Sequence, residues 1–241
     1  KKSIREAFGK ELVELGKKYP QVVVLDSDVS CSTQTAMFAK AYPERFFDMG
    51  IAEQVMITTA SGLSLTGKIP FAATFAVFAT GRTYDQIRMS VCYQKANVKI
   101  IGTHGGITVG EDGATHQALE DISLMRGLPN MTVIVPADCN ECAQVLDYAA
   151  EHAGPVYIRI ARNSLPDVYP SDYKFNPQRA QVLKHGCDLT LISNGDVLSE
   201  TFKAAQILAE NGIDAEVISV PVVKPLDTKT IVESVKKTGY A

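Results

Sequence analysis

Short apolar runs that end in polar residues alternate along this chain with segments of helical period, and that alternation restricts it to very few architectures. In QVVVLDSD, residues 21–28, β-branched residues run directly into acids. A strand buried on both faces reads as a continuous apolar run, and polar residues at its carboxyl tip meet solvent or a ligand. Similar runs stand at 71–75, 97–102, 131–135 and 156–161, separated by helical stretches at about 33–41, 53–66, 82–95, 119–126 and 138–152. Ahead of them Ile4, Phe8, Leu12 and Leu15 recur at near-helical spacing up to Gly16. The pattern predicts an α/β chain built on a doubly wound parallel sheet.

Composition narrows the function classes. With 46% hydrophobic and 21% charged residues in 241, the chain is globular and large enough for one large α/β domain or for one domain plus a smaller one. A formal net charge of −3 gives no basic footprint, so nucleic acid is not an expected partner. Five scattered cysteines suit a reducing compartment better than a disulfide framework. The charged start KKSIREAFGK has no apolar run behind it, and the longest apolar stretch, Phe71–Ala79, is too short to span a bilayer, so no membrane partner and a cytoplasmic location are expected.

The periodicity fails between Asn163 and Gly186, where SLPDVYPSDYKFNPQRA is rich in proline and polar residues. Three parts are therefore expected: a domain over 1–164, a linker over 165–186 and the beginning of a second α/β domain over 187–241, with strands in DLTLIS and DAEVISV.

Several positions could carry chemistry. Glu53, in GIAEQ, opens a helix rich in small residues, and two readings stand. It is either a first-turn acid favoured by the helix dipole or a poorly hydrated carboxyl able to share a proton with a ring nitrogen. The stretch Thr103–Asp121, THGGITVGEDGATHQALED, follows an apolar strand and brings His104, Asp112 and His116 to its carboxyl end, where open sheets bind hydroxylated or phosphorylated ligands. Capping residues in a solvent loop are the alternative. Phe75 and Phe78 are either core or a stacking platform for a flat ring. Arg162 leaves the last strand of the first unit, where it could fork onto a phosphate or form a surface ion pair. CNEC, Cys139–Cys142, has the position of a redox pair at a helix start but none of the surrounding pattern, and no metal site is expected.

In order, DSDVSCSTQT, FFDMGIAEQ, TFAVFATGRTYDQIRMS, the stretch from THGGITVGEDGATHQ to VIVPAD, and YIRIARNS resemble the pyrimidine-binding domain of transketolase over about residues 1–165. KPLDTKTIVESVKKTG is similar to the early part of the transketolase C-terminal domain. The resemblance implies an α/β fold of the thiamine diphosphate-binding, pyrimidine-domain type, followed by a partial second α/β domain. It further implies a cofactor, thiamine diphosphate with Mg2+, and transfer of a two-carbon ketol unit between sugar phosphates. Glu53 would hydrogen-bond the aminopyrimidine ring and activate the cofactor, Phe75 and Phe78 would line the ring's pocket, and Asp28 would stand near it. Ser32, His104 and Arg162 match sugar-phosphate positions; Asp112 and His116 match positions that contact the sugar near its reacting carbons.

The motifs that hold the diphosphate and magnesium in this family precede the pyrimidine domain and are absent here; Asn194–Asp196, NGD, is no substitute, because it lies in the second unit. The resemblance thus implies either a fragment of a whole transketolase or one subunit of a split one, whose partner is an N-terminal transketolase subunit carrying the diphosphate domain, within a dimer or heterotetramer. Half of a deoxyxylulose-phosphate synthase, which shares GIAEQ and a related DGxTHQ loop, and a non-catalytic assembly subunit are the alternatives.

Overall fold

Ser3 begins the first helix by accepting a hydrogen bond from the Glu6 amide, and Lys17 and Lys18 complement the helix dipole in its last turn. The computed structural model describes residues 1–241. In chain order it contains β1 (Lys2–Ser3), α1 (Ile4–Lys18), β2 (Val22–Asp26), α2 (Ser30–Thr33), α3 (Ala36–Ala41), β3 (Phe46–Asp48), α4 (Glu53–Leu65) and β4 (Ile69–Phe75). A π-helical stretch Phe78–Arg82, α5 (Tyr84–Gln86) and a second π-helical stretch Ile87–Cys92 lead to β5 (Lys99–Thr103), α6 (Asp121–Gly127), β6 (Thr132–Ile134), α7 (Cys139–Glu151) and β7 (Val156–Ile160). There follow β8 (Ser164–Leu165), β9 (Gln181–Lys184), β10 (Leu189–Ser193), α8 (Leu198–Glu210), β11 (Ala215–Ser219), β12 (Val222–Lys224) and α9 (Thr228–Thr238).

The main sheet has the order β12-β6-β7-β5-β4-β2-β3, and every pairing within it is parallel except β12 on β6. Strand alternation divides its side chains between two cores. Val24, Phe71 and Ile158 face α1 and α7 with Phe8, Leu12, Val145 and Leu146. Leu25, Ile100 and Tyr157 face α4, α6 and the π-helical stretches with Met56, Ile57, Val91 and Met125. No helix is long and apolar enough to cross a membrane.

Three local expectations change. The helix expected over 33–41 is two short helices, broken where Gln34 takes a left-handed φ of 72°. The helix expected from 82 begins at Ala76 and is largely π-helical from Phe78 on. Within the segment read as a linker, Gln181–Lys184 is a strand that pairs antiparallel with β11, so the second unit has a three-stranded sheet, β10-β11-β9. The rest of that segment packs: Tyr169 and Tyr173 are buried with Leu198, Ala205 and Val217.

Candidate active site

β2 has β3 on one side and β4 on the other, so the connections leaving these strands diverge and open a crevice at their carboxyl ends. A cleft of about 280 Å³ lies there, lined by Ser27 and Asp28 after β2, Ile51 and Glu53 after β3, Thr74, Phe75, Phe78 and Arg82 along and after β4, and His116. Asp48 ties two of these connections together: its Oδ1 accepts from the amides of Asp28 at 3.2 Å and Gly50 at 3.0 Å. Gly50 has a φ of +65°, the conformation a glycine adopts at no steric cost, and this turn delivers the start of α4 to the cleft.

Glu53 is the first residue of α4 and only 3% exposed. Its carboxylate is met by Arg82, whose Nη1 donates to Oε1 at 3.0 Å and Oε2 at 2.9 Å. The Phe75 and Phe78 rings are nearly parallel, 15° apart with centroids at 6.3 Å. His116 meets Phe78 edge-on at 5.2 Å, and His104 lies against Phe75 at 4.0 Å.

His104 leads into a second cluster. Its Nδ1 is 2.9 Å from Thr103 Oγ1, and its Nε2 is 3.4 Å from Arg5 Nη1. Arginine only donates, so Nε2 is the acceptor and the hydrogen-bond network assigns the proton of a neutral ring to Nδ1. Burial, then the charges of Arg5 and Arg162, push its pKa down to about 4. Arg5 also donates to the Ser32 carbonyl oxygen at 2.7 Å, while its Nε is buried without a partner. Burial and the neighbouring Arg162 push the Arg5 guanidinium below its ordinary range. Two converging arginines, one with an unused buried donor, fit an anionic group. Asp112 is exposed on the loop, near enough for its charge to oppose that of the arginines at His104.

The loop that carries His116 rests on a buried support. A Cβ on Gly105 would stand 2.2 Å from Arg159 Nε, so only glycine lets the backbone lie on that guanidinium. Arg159 pairs with Asp121 at 3.2 Å, and Asp121 accepts from the Tyr157 hydroxyl at 2.6 Å. At the CNEC motif, Cys139 is half-buried and Cys142 buried. Burial raises both thiol pKa values, the opposite of what a reactive pair needs.

The geometry agrees with what the whole chain matches: the family described as transketolase, pyrimidine binding domain, over residues 1–168, and transketolase, C-terminal domain, over 178–241. The chain belongs to the transketolase family. A protein named as a transketolase C-terminal section in Methanocaldococcus jannaschii is 50% identical over 97% of this chain and 74% of its own length. The 6-deoxy-6-sulfo-D-fructose transketolase subunit SqwH of a Clostridium species is 38% identical over 98% of this chain and 73% of its own. A solved split-gene transketolase, an inactive beta4 tetramer, superposes with a TM-score of 0.91 at 51% identity, covering 100% of this chain and 79% of that one.

Within this transketolase chain the expected positions fall into two adjoining groups. Asp28, Glu53, Phe75, Phe78 and His116 share the cleft, while Ser32, His104 and Arg162 gather around Arg5. Asp112 is the outlier, exposed and without a side-chain hydrogen bond. Sequence reasoning missed Arg5 and Arg82. Arg5 reads as one more polar residue of an amphipathic helix, and only its flanking by buried Ile4 and Phe8 hints that it turns inward.

Proposed function

We propose that this chain is the pyrimidine-side subunit of a thiamine diphosphate-dependent transketolase that moves a two-carbon ketol unit between sugar phosphates. The observation that carries the reading is the cleft itself: a buried carboxylate at the start of α4 beside two nearly parallel phenylalanine rings, with an arginine–histidine cluster next to it. The donor set fits the cofactor's ring. Its flat apolar faces suit Phe75 and Phe78, and its ring nitrogen suits Glu53. When bound, thiamine diphosphate supplies the nucleophilic carbon and the electron sink that ketol transfer requires.

In this reading the residues divide the work. Glu53 holds a proton at the ring nitrogen, and the phenylalanines exclude water from that contact. His116 and Asp112 face the sugar's oxygens. Neutral His104 accepts from a sugar hydroxyl or orients one, while Arg5, Arg162 and Ser32 hold the terminal phosphate. No group of three or more His, Cys, Asp or Glu side chains is placed to hold a metal ion. Mg2+ and the diphosphate are assigned to a partner subunit, as the subunit and split-gene names of the relatives support.

The test is reconstitution. The chain alone should not turn over ketose phosphates; with a diphosphate-domain partner, thiamine diphosphate and Mg2+ it should. Glu53→Gln should then lower kcat by about 10²–10⁴-fold, the usual size of a proton-transfer contribution. Full turnover by that variant refutes the role of Glu53. Turnover of pyruvate with glyceraldehyde phosphate in place of ketose donors would reassign the subunit to deoxyxylulose-phosphate synthesis.

A further inference from the structure

Arg82 already makes both contacts that a bound aminopyrimidine ring would ask of this chain. Its Nη1 donates to the two oxygens of Glu53 at 3.0 and 2.9 Å, and its guanidinium carbon stands 4.3 Å from the centre of the Phe78 ring. A guanidinium is flat, edged with N–H donors and prone to stack on aromatic faces, which are the properties by which an aminopyrimidine would be recognised in the same place. The backbone explains how it gets there. Phe78–Arg82 is π-helical, a geometry frequent at functional sites, and it brings Arg82 back over the ring four residues earlier. The Arg82 carbonyl accepts from Gln54 Nε2 at 3.0 Å, which pins this backbone to α4. The side chain is the part left to move, and at 44% exposure it has solvent to move into.

We propose that Arg82 is an internal stand-in for the cofactor ring: in the cofactor-free chain it caps Glu53 and covers Phe78, and it must swing out before the ring docks. The inference rests on the cofactor assignment above and adds a threshold to it. A buried carboxylate left unpaired is costly, so a cleft without its ligand is stabilised by a resident cation. The same pairing raises the ligand concentration needed to enter, by the strength of the pair it displaces.

Two measurements test this. In the complex reconstituted with a diphosphate-domain partner and Mg2+, calorimetric titration should show thiamine diphosphate binding about two- to fivefold more tightly to Arg82→Met than to the wild type, the size of a half-exposed ion pair. Arg88→Met, which removes an exposed arginine paired with Asp85, should leave the affinity unchanged. In the isolated full chain, a double-mutant cycle of Glu53→Gln and Arg82→Met should show unfolding constants coupled by about threefold or more. Unchanged or weaker affinity in Arg82→Met overturns the stand-in alone, and so does an additive cycle. Absence of uptake by both wild type and variant, with the coupling intact, overturns the cofactor assignment and leaves Arg82 as a plain ion pair.

Discussion

At the scale of single residues, His104 shows how far surroundings set chemistry. An ordinary histidine titrates near 6.5, but burial and the charges of Arg5 and Arg162 hold this one near 4, so it works as a neutral acceptor across the physiological range. The folded value is depressed, so the unfolded chain binds the extra proton between the two values. The stability tied to His104 is therefore present above pH 6.5 and is lost as pH falls toward 4, by at most about 3 kcal/mol. Imidazole 15N shifts of the isolated chain should show His104 neutral from pH 8 to 5, and urea unfolding of His104→Asn should lose this share of the acid sensitivity. Arg5→Met, by removing one of the two cations, should move the transition upward. His104 was legible because it follows a strand in a glycine-rich loop. Arg5 and Arg82 were not, since nothing in a helical sequence marks which of its arginines turns inward onto a carboxylate or a histidine.

At the scale of elements, the start of α7 binds the connecting segment to the first domain. Asp138 accepts from the Glu141 amide at 2.8 Å as an N-cap and from the amides of Val168 and Tyr169, each at 2.7 Å. Glu141 accepts from the Ala137 amide at 2.8 Å and the Tyr173 hydroxyl at 3.0 Å. Asp138→Ala removes a cap and strands two further amides, so it should cost about 2–4 kcal/mol in urea unfolding. Burial raises Glu141 to about 7. Here the folded chain binds the extra proton between 4.5 and 7, so this stability is full below pH 4.5 and is lost as pH rises toward 7. Glu141→Gln should flatten that slope. The helix itself was readable, 138–152 expected against Cys139–Glu151 found, because an acidic cap and an amphipathic face carry local signals. The contacts of its first turn with residues thirty positions away carry none. The π-helical stretch was invisible for a related reason: apolar spacing reports which face is buried and not the hydrogen-bond register beneath it.

At the scale of the whole molecule, the two units share a sheet. β12 follows β11 of the second unit but pairs antiparallel with β6 of the first, and Lys224 donates to the carbonyls of Arg126 and Leu128 at the end of α6, the former at 2.9 Å. The alternation of runs and helices foretold the parallel sheet. It could not foretell a three-residue strand crossing between units, because Val222–Lys224 is too short to show a period and its partner lies some ninety residues earlier. A shared sheet couples the stabilities of the units, so far-UV circular dichroism and tyrosine fluorescence should report one coincident urea transition. It also leaves an edge to protect. In a chain cut after residue 186 the first domain would keep the cores on both faces apart from Val222 and Val223 but lose β12, exposing the unpaired backbone of Thr132–Ile134. That strand, Thr132-Val133-Ile134, carries no charge and has neither proline nor bulge of its own to discourage pairing, which makes it a template for a second chain. The fragment should therefore remain folded by circular dichroism yet associate with rising concentration in light scattering. Replacing Val133 by lysine, the charged residue natural edges use, should weaken that association, and a fragment that stays monomeric without the replacement would show that β12 is not what protects the edge.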